Sequence, residues 1–139
     1  MLYIKIYLTT FFLFFAIDLL WLGVIASSLY RSQIGFLMAD EIRWGAALLF
    51  YALYLAGLVF FAILPALKTG SWTTALGYGC FFGLVCYATY DLTNLATLKN
   101  WPLALSLIDM TWGTVISGLT SVGTYLIISY FRGDGPTGL

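Results

Sequence analysis

Histidine is absent from the 139 residues of this chain, cysteine occurs twice, and charged side chains make up only 9% of the sequence. Each scarcity removes a class of function. Without histidine the commonest general base and metal ligand is missing. Cys80 and Cys86 stand six positions apart in one apolar run, about 600° of rotation on a helix. Their thiols therefore point in different directions and can form neither a disulfide nor a shared metal site. Haem, transition-metal and Cys or His nucleophile chemistries are set aside, and no cofactor or metal is expected. Six basic residues balance six acidic ones without a basic patch, so nucleic acid is not an expected partner.

What remains is apolar. Hydrophobic residues are 62% of the chain, whereas a soluble domain carries roughly 25% charged residues to cover its surface. The solvent for most of this chain is therefore lipid. Four apolar runs, at about residues 3–29, 44–67, 72–98 and 101–131, are each long enough as helices to cross a hydrocarbon core of about 30 Å. The first is too long for the apolar core of a cleavable signal, which is about 7 to 15 residues, and it carries Asp18, so it is expected to stay as a span. The fold class that follows is all-α: a polytopic integral membrane protein, an antiparallel four-transmembrane-helix bundle over residues 1–132, with residues 133–139 expected to form a disordered tail. The connections are short: Lys68 to Ser71 is a tight turn and Lys99-Asn100 a tighter one. Asn100 is expected to cap the fourth helix and Asp40 the second. Tryptophans at 44, 72 and 101 suit interfacial belts, while Trp21 and Trp112 lie deeper. Three basic residues fall on each side of the membrane, so the positive-inside rule leaves the orientation undecided.

Against this background the polar residues stand out. Asp91 is nine residues before Asn100 and Asp109 nine after, which at about 1.5 Å per residue puts both roughly 13 Å below one face. Helices joined by so short a turn are antiparallel neighbours, so the two carboxyls can meet. Asp18 lies nine residues before Ser27 on a helix emerging at the same face, at a comparable depth. No Lys or Arg occurs at that level to pair with them. Ionisable groups at membrane depth cost about 2.5 to 3.5 kcal/mol each on insertion scales and commonly mark function. The bland alternative is that each acid donates a hydrogen bond to a neighbour and pins helix register. Three at one level without a cation favour a functional layer.

Neighbouring side chains complete the candidate site. Tyr87, Asp91 and Asn94 share a face of the third helix at spacings of four and three. Asp18-Leu19-Leu20-Trp21, Asp91-Leu92-Thr93-Asn94 and Asp109-Met110-Thr111-Trp112 each place a large hydrogen-bonding side chain three residues after the acid. The expected solute- or proton-binding set is thus Asp18, Asp91, Asp109, Asn94, Tyr87, Tyr90, Trp21 and Trp112; no catalytic residue is assigned. Ser106, Asp109, Gly113, Ser117, Thr120 and Thr124 stripe the fourth helix, which is expected at the centre of the bundle, with Gly79 and Gly83 permitting close approach. The second helix has only Tyr51 and Tyr54 as polar groups in its span and is expected to face lipid or a second copy.

At these residues the chain resembles a family of uncharacterised bacterial inner-membrane proteins of similar length, grouped as a domain of unknown function. The resemblance rests on Asp18 to Trp21, on Tyr90-Asp91-Leu92-Thr93-Asn94 with Thr97, Leu98, Trp101 and Pro102 following, and on Asp109 to Gly113. It implies a multi-pass protein of the bacterial inner membrane and no established activity.

Three functional classes fit these observations. The first is proton- or cation-coupled transport or binding of a small molecule at the acid layer, with a homodimer supplying the helices that four spans alone lack. In the second, a membrane enzyme acts on a lipid or isoprenoid, one carboxyl serving as general acid and another as base. The third is a non-catalytic assembly or accessory subunit of a membrane complex. Membrane lipids, a homo-oligomer or a complex partner are the expected associations, and transport ranks first.

Overall fold

The computed structural model describes residues 1–133, except for the side chain of Ile25. Residues 134–139, within the stretch expected to be a disordered tail, lie outside the described residues. Every regular element among the described residues is helical. Helix α1 (Leu2–Trp21) passes through a π-helical turn, π1 (Leu22–Ala26), into α2 (Ser27–Ile34), closed by a 3-10 turn at Gly35–Leu37. Helix α3 (Trp44–Leu58) passes through a second π-helical turn, π2 (Val59–Ile63), into α4 (Leu64–Thr69). Helices α5 (Trp72–Thr97) and α6 (Leu103–Arg132) are uninterrupted.

Three segments are long and apolar enough to cross a membrane: Leu2–Val24, Trp44–Thr69 and Leu103–Arg132. Helix α5, at 26 residues, matches them in length. It is less apolar because it carries Asp91, Asn94, four threonines in the helix body and three tyrosines before them. Large apolar side chains turn outward around the bundle, among them Leu48, Leu53, Phe60, Phe81 and Leu119, the arrangement that suits lipid. The chain is an all-α membrane protein.

Turn chemistry explains where the helices stop. Gly70 ends α4 in the left-handed region at φ 69°, and Gly70 and Ser71 both donate backbone N–H groups to the Ala66 carbonyl, at 2.9 and 3.2 Å. Ser71 then caps α5 by accepting from the Thr74 N–H. The two caps expected from sequence are absent. Arg43 occupies the N-cap of α3, without a side-chain cap, so Asp40 is too far upstream. Pro102 occupies the N-cap of α6, and Asn100 instead takes a positive φ of 60° in the turn, a conformation that asparagine tolerates.

Helices α5 and α6 form a tight antiparallel pair, read directly from the residues that meet: Gly79 with Ser117 and Ser121, Gly83 with Gly113 and Ser117, Tyr87 with Gly113. The contact is close because the residues are small. A Cβ at Gly79 would lie 2.9 Å from the Ser117 carbonyl oxygen, and one at Gly83 would lie 2.6 Å from the Ser117 Cβ. Gly118 makes room for the Cys80 thiol in the same way. On the other side α1 runs against the α3 arm. Ile6 clusters with Leu58, Val59, Ala62 and Ile63, and the Phe14 ring sits 5.3 Å from that of Tyr54. Helix α6 buries residues along its whole length, from Leu105 to Ser129, and touches α1, α4, α5 and π2. It is the central helix, as its polar stripe predicts.

Candidate functional site: an acid chamber with aromatic walls

The site begins with two short repeats on facing helices. Asp18 and Trp21 lie one turn apart on α1, and Asp109 and Trp112 one turn apart on α6. Both acids are buried, 6% and 7% exposed respectively. The two indoles stack in parallel with ring centroids 4.4 Å apart and 9° between planes. Stacking of that kind contributes on the order of 1 kcal/mol beyond burial and fixes the rings' orientation. The pair forms a plate beside which both carboxyls sit: Asp18 has the Trp112 indole and the Asp109 carboxyl as its polar neighbours.

Tyr30 closes the chamber from the helix end. Its hydroxyl donates to Asp109 Oδ1, a charge-assisted bond when the carboxyl is ionised. Tyr30 lies beyond the first spanning segment. Burial, and then the Asp109 carboxylate that it faces, hold its phenol above the ordinary range, so it stays a donor throughout the pH range in which proteins are folded. The π1 turn makes this contact possible. A π turn holds one residue more than an α turn, so α2 resumes with a shifted phase and Tyr30 comes round to the chamber.

Tyr51 from α3 and Tyr87 and Tyr90 from α5 complete the wall, with Leu22 from π1, around a cavity of about 260 Å³. A second cavity of about 290 Å³ adjoins it, sharing Tyr51, Tyr87, Tyr90 and Asp109 and adding Phe50 and Cys86. No lysine or arginine lines either one.

Asp91 stands behind this wall rather than in it. It is fully buried beside the Asp109 carboxyl, and neither of its oxygens has a hydrogen-bond partner of acceptable geometry. Its helix is held in place by a relay: Trp101 donates its indole N–H to Ser106 Oγ at 2.9 Å, and that hydroxyl donates to the Asp91 carbonyl at 3.2 Å. Asn94 is half-buried one turn further along, next to the Tyr90 hydroxyl and outside both cavity walls. The structure thus gathers Asp18, Trp21, Tyr87, Tyr90, Asp109 and Trp112 around one space, puts Asp91 directly behind it and leaves Asn94 at its margin.

Two expectations are corrected here. Helix α3 does not face only outward: Tyr54 is buried, sharing a hydrogen bond with Ser117 on α6, and Tyr51 enters the wall. Trp101 is not an interfacial belt residue. It is 8% exposed and packs edge-on against Tyr90 with centroids 5.8 Å apart.

Sequence reasoning overlooked Tyr30, Tyr51 and Leu22. Tyr51 carried a usable signal, since a lone pair of tyrosines in an otherwise apolar span needs partners for its hydroxyls and so marks the inward face.

The chain belongs to the family described as Predicted membrane protein (DUF2177), whose model matches residues 3–126. The matched stretch includes every residue of the chamber wall. That description assigns no activity. No curated protein and no solved structure is significantly similar to the chain.

Proposed function

We propose that this protein binds a small solute in the chamber between α1, α3, α5 and α6 and carries it across a bacterial inner membrane with proton exchange at Asp18, Asp91 and Asp109. The observation that carries the proposal is the cavity itself: two buried carboxyls from different helices share one space, a third stands behind, and no cationic side chain lines it. Proteins seldom keep ionisable groups at such a depth without a task for them, and carriers place their binding groups there. Carboxyls so close together titrate as a coupled set rather than as independent acids. Binding of a solute beside one of them then alters the proton held by its neighbours, which is the coupling that an exchanger needs. Tyr30 and the stacked tryptophans keep the acids in fixed positions while this happens. The outward apolar face of α3 would be covered by lipid or by a second copy of the chain, and a homodimer supplies the additional helices for alternating access.

Infrared titration of the protonated-carboxyl band tests this reading, with purified protein in lipid and with Asp18→Asn, Asp91→Asn and Asp109→Asn beside the wild type. The expected result is a band that titrates between about pH 5 and 9, with each replacement displacing the transitions of the remaining acids. A band that stays silent over that range, with variants that lose only thermal stability, overturns the proposal and leaves the acids as packing groups of an accessory subunit.

A further inference from the structure

The chamber walls also bear on what solute would be held there, an inference that rests on the reading of the chamber as a solute site. An anion is disfavoured, since the groups around the space include carboxyls and no lysine or arginine. A bare divalent ion is poorly served as well. Hard cations need six or more oxygen ligands at close range, and among the described residues no group of three acidic or thiol side chains is placed to hold one. What the walls do offer is ring surface next to carboxyls. The Trp21–Trp112 plate and the Tyr51 and Tyr87 rings border the same space as Asp18 and Asp109. Electron-rich ring faces attract a cation whose charge is spread over apolar substituents, and a carboxylate adds to that attraction without demanding tight coordination.

The adjoining cavity adds a second requirement. Beyond the shared tyrosines it is bordered by Phe50 and Cys86, an apolar addition to an acidic wall. A ligand occupying both spaces is charged at one end and apolar at the other. At about 260 and 290 Å³ the two spaces lie at the small end of ligand sites, so the molecule is compact.

We infer that the ligand is a compact organic cation, a substituted amine or quaternary ammonium, with its charged head in the chamber beside Asp18, Asp109 and Trp112 and its apolar substituent in the adjoining space beside Phe50 and Cys86. The indole plate selects the head by charge, and the second space selects the substituent by size.

Isothermal titration of the full chain in lipid nanodiscs with benzyltrimethylammonium tests the inference, with benzyl alcohol and benzoate as the neutral and anionic counterparts. Saturable binding of the cation alone is expected. Its affinity should fall about tenfold or more in Asp109→Asn and in Trp112→Leu, while Leu119→Ala, on the outer surface, should bind as the wild type does. Trp112→Phe retains a ring face and should bind better than Trp112→Leu, a comparison that stands in if the leucine variant does not fold. Equal binding of benzyl alcohol or benzoate, or undiminished cation binding in both chamber variants, overturns the inference. Infrared titration of the same samples separates it from the reading beneath it. Carboxyls that titrate in a protein that binds no organic cation overturn the ligand class and keep the solute site. A silent band with no cation binding overturns both, whereas cation binding with a silent band keeps the class and removes the proton exchange.

Discussion

Replacing Asp91 by leucine separates an acid kept for a task from an acid kept for packing. Asp91 is fully buried, and both of its carboxyl oxygens lack hydrogen-bond partners. A buried polar group without partners costs about 1 to 3 kcal/mol, and an apolar side chain of similar volume removes that cost without opening a cavity. The main attachment of this part of α5 to α6 runs through the backbone, from Ser106 Oγ to the Asp91 carbonyl, and survives the change. Asp109 loses a neighbour but keeps its bond from Tyr30. Asp91→Leu should therefore raise stability by about 1 to 3 kcal/mol, and Asp91→Asn, which leaves a polar group in the same place, should change it by less than about 1 kcal/mol. Reversible unfolding in mixed micelles, or steric trapping in bicelles, measures both variants on one scale. In the same Asp91→Leu protein the infrared transitions of Asp18 and Asp109 should move, because a member of the coupled set has gone. The reasoning is refuted if Asp91→Leu costs about 2 kcal/mol or more, the penalty of breaking a satisfied buried interaction. Asp91 would then be a structural pin.

Two further substitutions examine the scaffold that holds the chamber. Gly83→Ala should destabilise by about 1 to 3 kcal/mol through overpacking, since its Cβ would meet Ser117 on α6; Gly77→Ala on the same helix meets nothing within 4 Å and should be neutral or stabilising by up to about 1 kcal/mol. Equal thermal midpoints for the pair would contradict the close α5–α6 approach. Tyr54→Phe should cost about 1 to 2 kcal/mol in unfolding measurements, because it leaves the Ser117 hydroxyl to find another acceptor; no loss would mean that the α3–α6 hydrogen bond carries no weight.

Much of this architecture can be read from spacing. Counting residues from the turn at Asn100 places Asp91 and Asp109 side by side, because a short turn between long helices fixes both their direction and their level. The same count applied to Asp18 works because α1 stays regular up to Trp21. The stripe from Ser106 to Thr124 identifies α6 as the central helix, since small and hydroxyl residues at that spacing tolerate only another helix against them. Reading failed where phase or handedness departed from the regular helix. Tyr30 lies beyond the π1 turn, and no 3.6-residue count carried across Leu22–Ala26 predicts which way it faces. Asn94 shares a face with Asp91, but it lies a turn further along, where the α5 face has already passed the cavity. Asn100 has the chemistry of a cap, yet Pro102 and the left-handed turn move the start of α6 beyond it. Tyr51 was hidden by its neighbours: an average over an apolar helix says that it meets lipid and says nothing about which side does.

The π turn at Leu22–Ala26 also makes the chamber sensitive to length as well as to residue type. Removing one residue from that turn would restore α-helical geometry and rotate everything beyond it by about 100°, leaving Asp18 and Trp21 in place while swinging the Tyr30 phenol away from Asp109. Related chains that differ by a single insertion or deletion there would have the same acids and the same stacked indoles, with a different residue, or none, closing the chamber. Alignment gaps in this turn would then separate proteins of differing selectivity more clearly than substitutions in the walls.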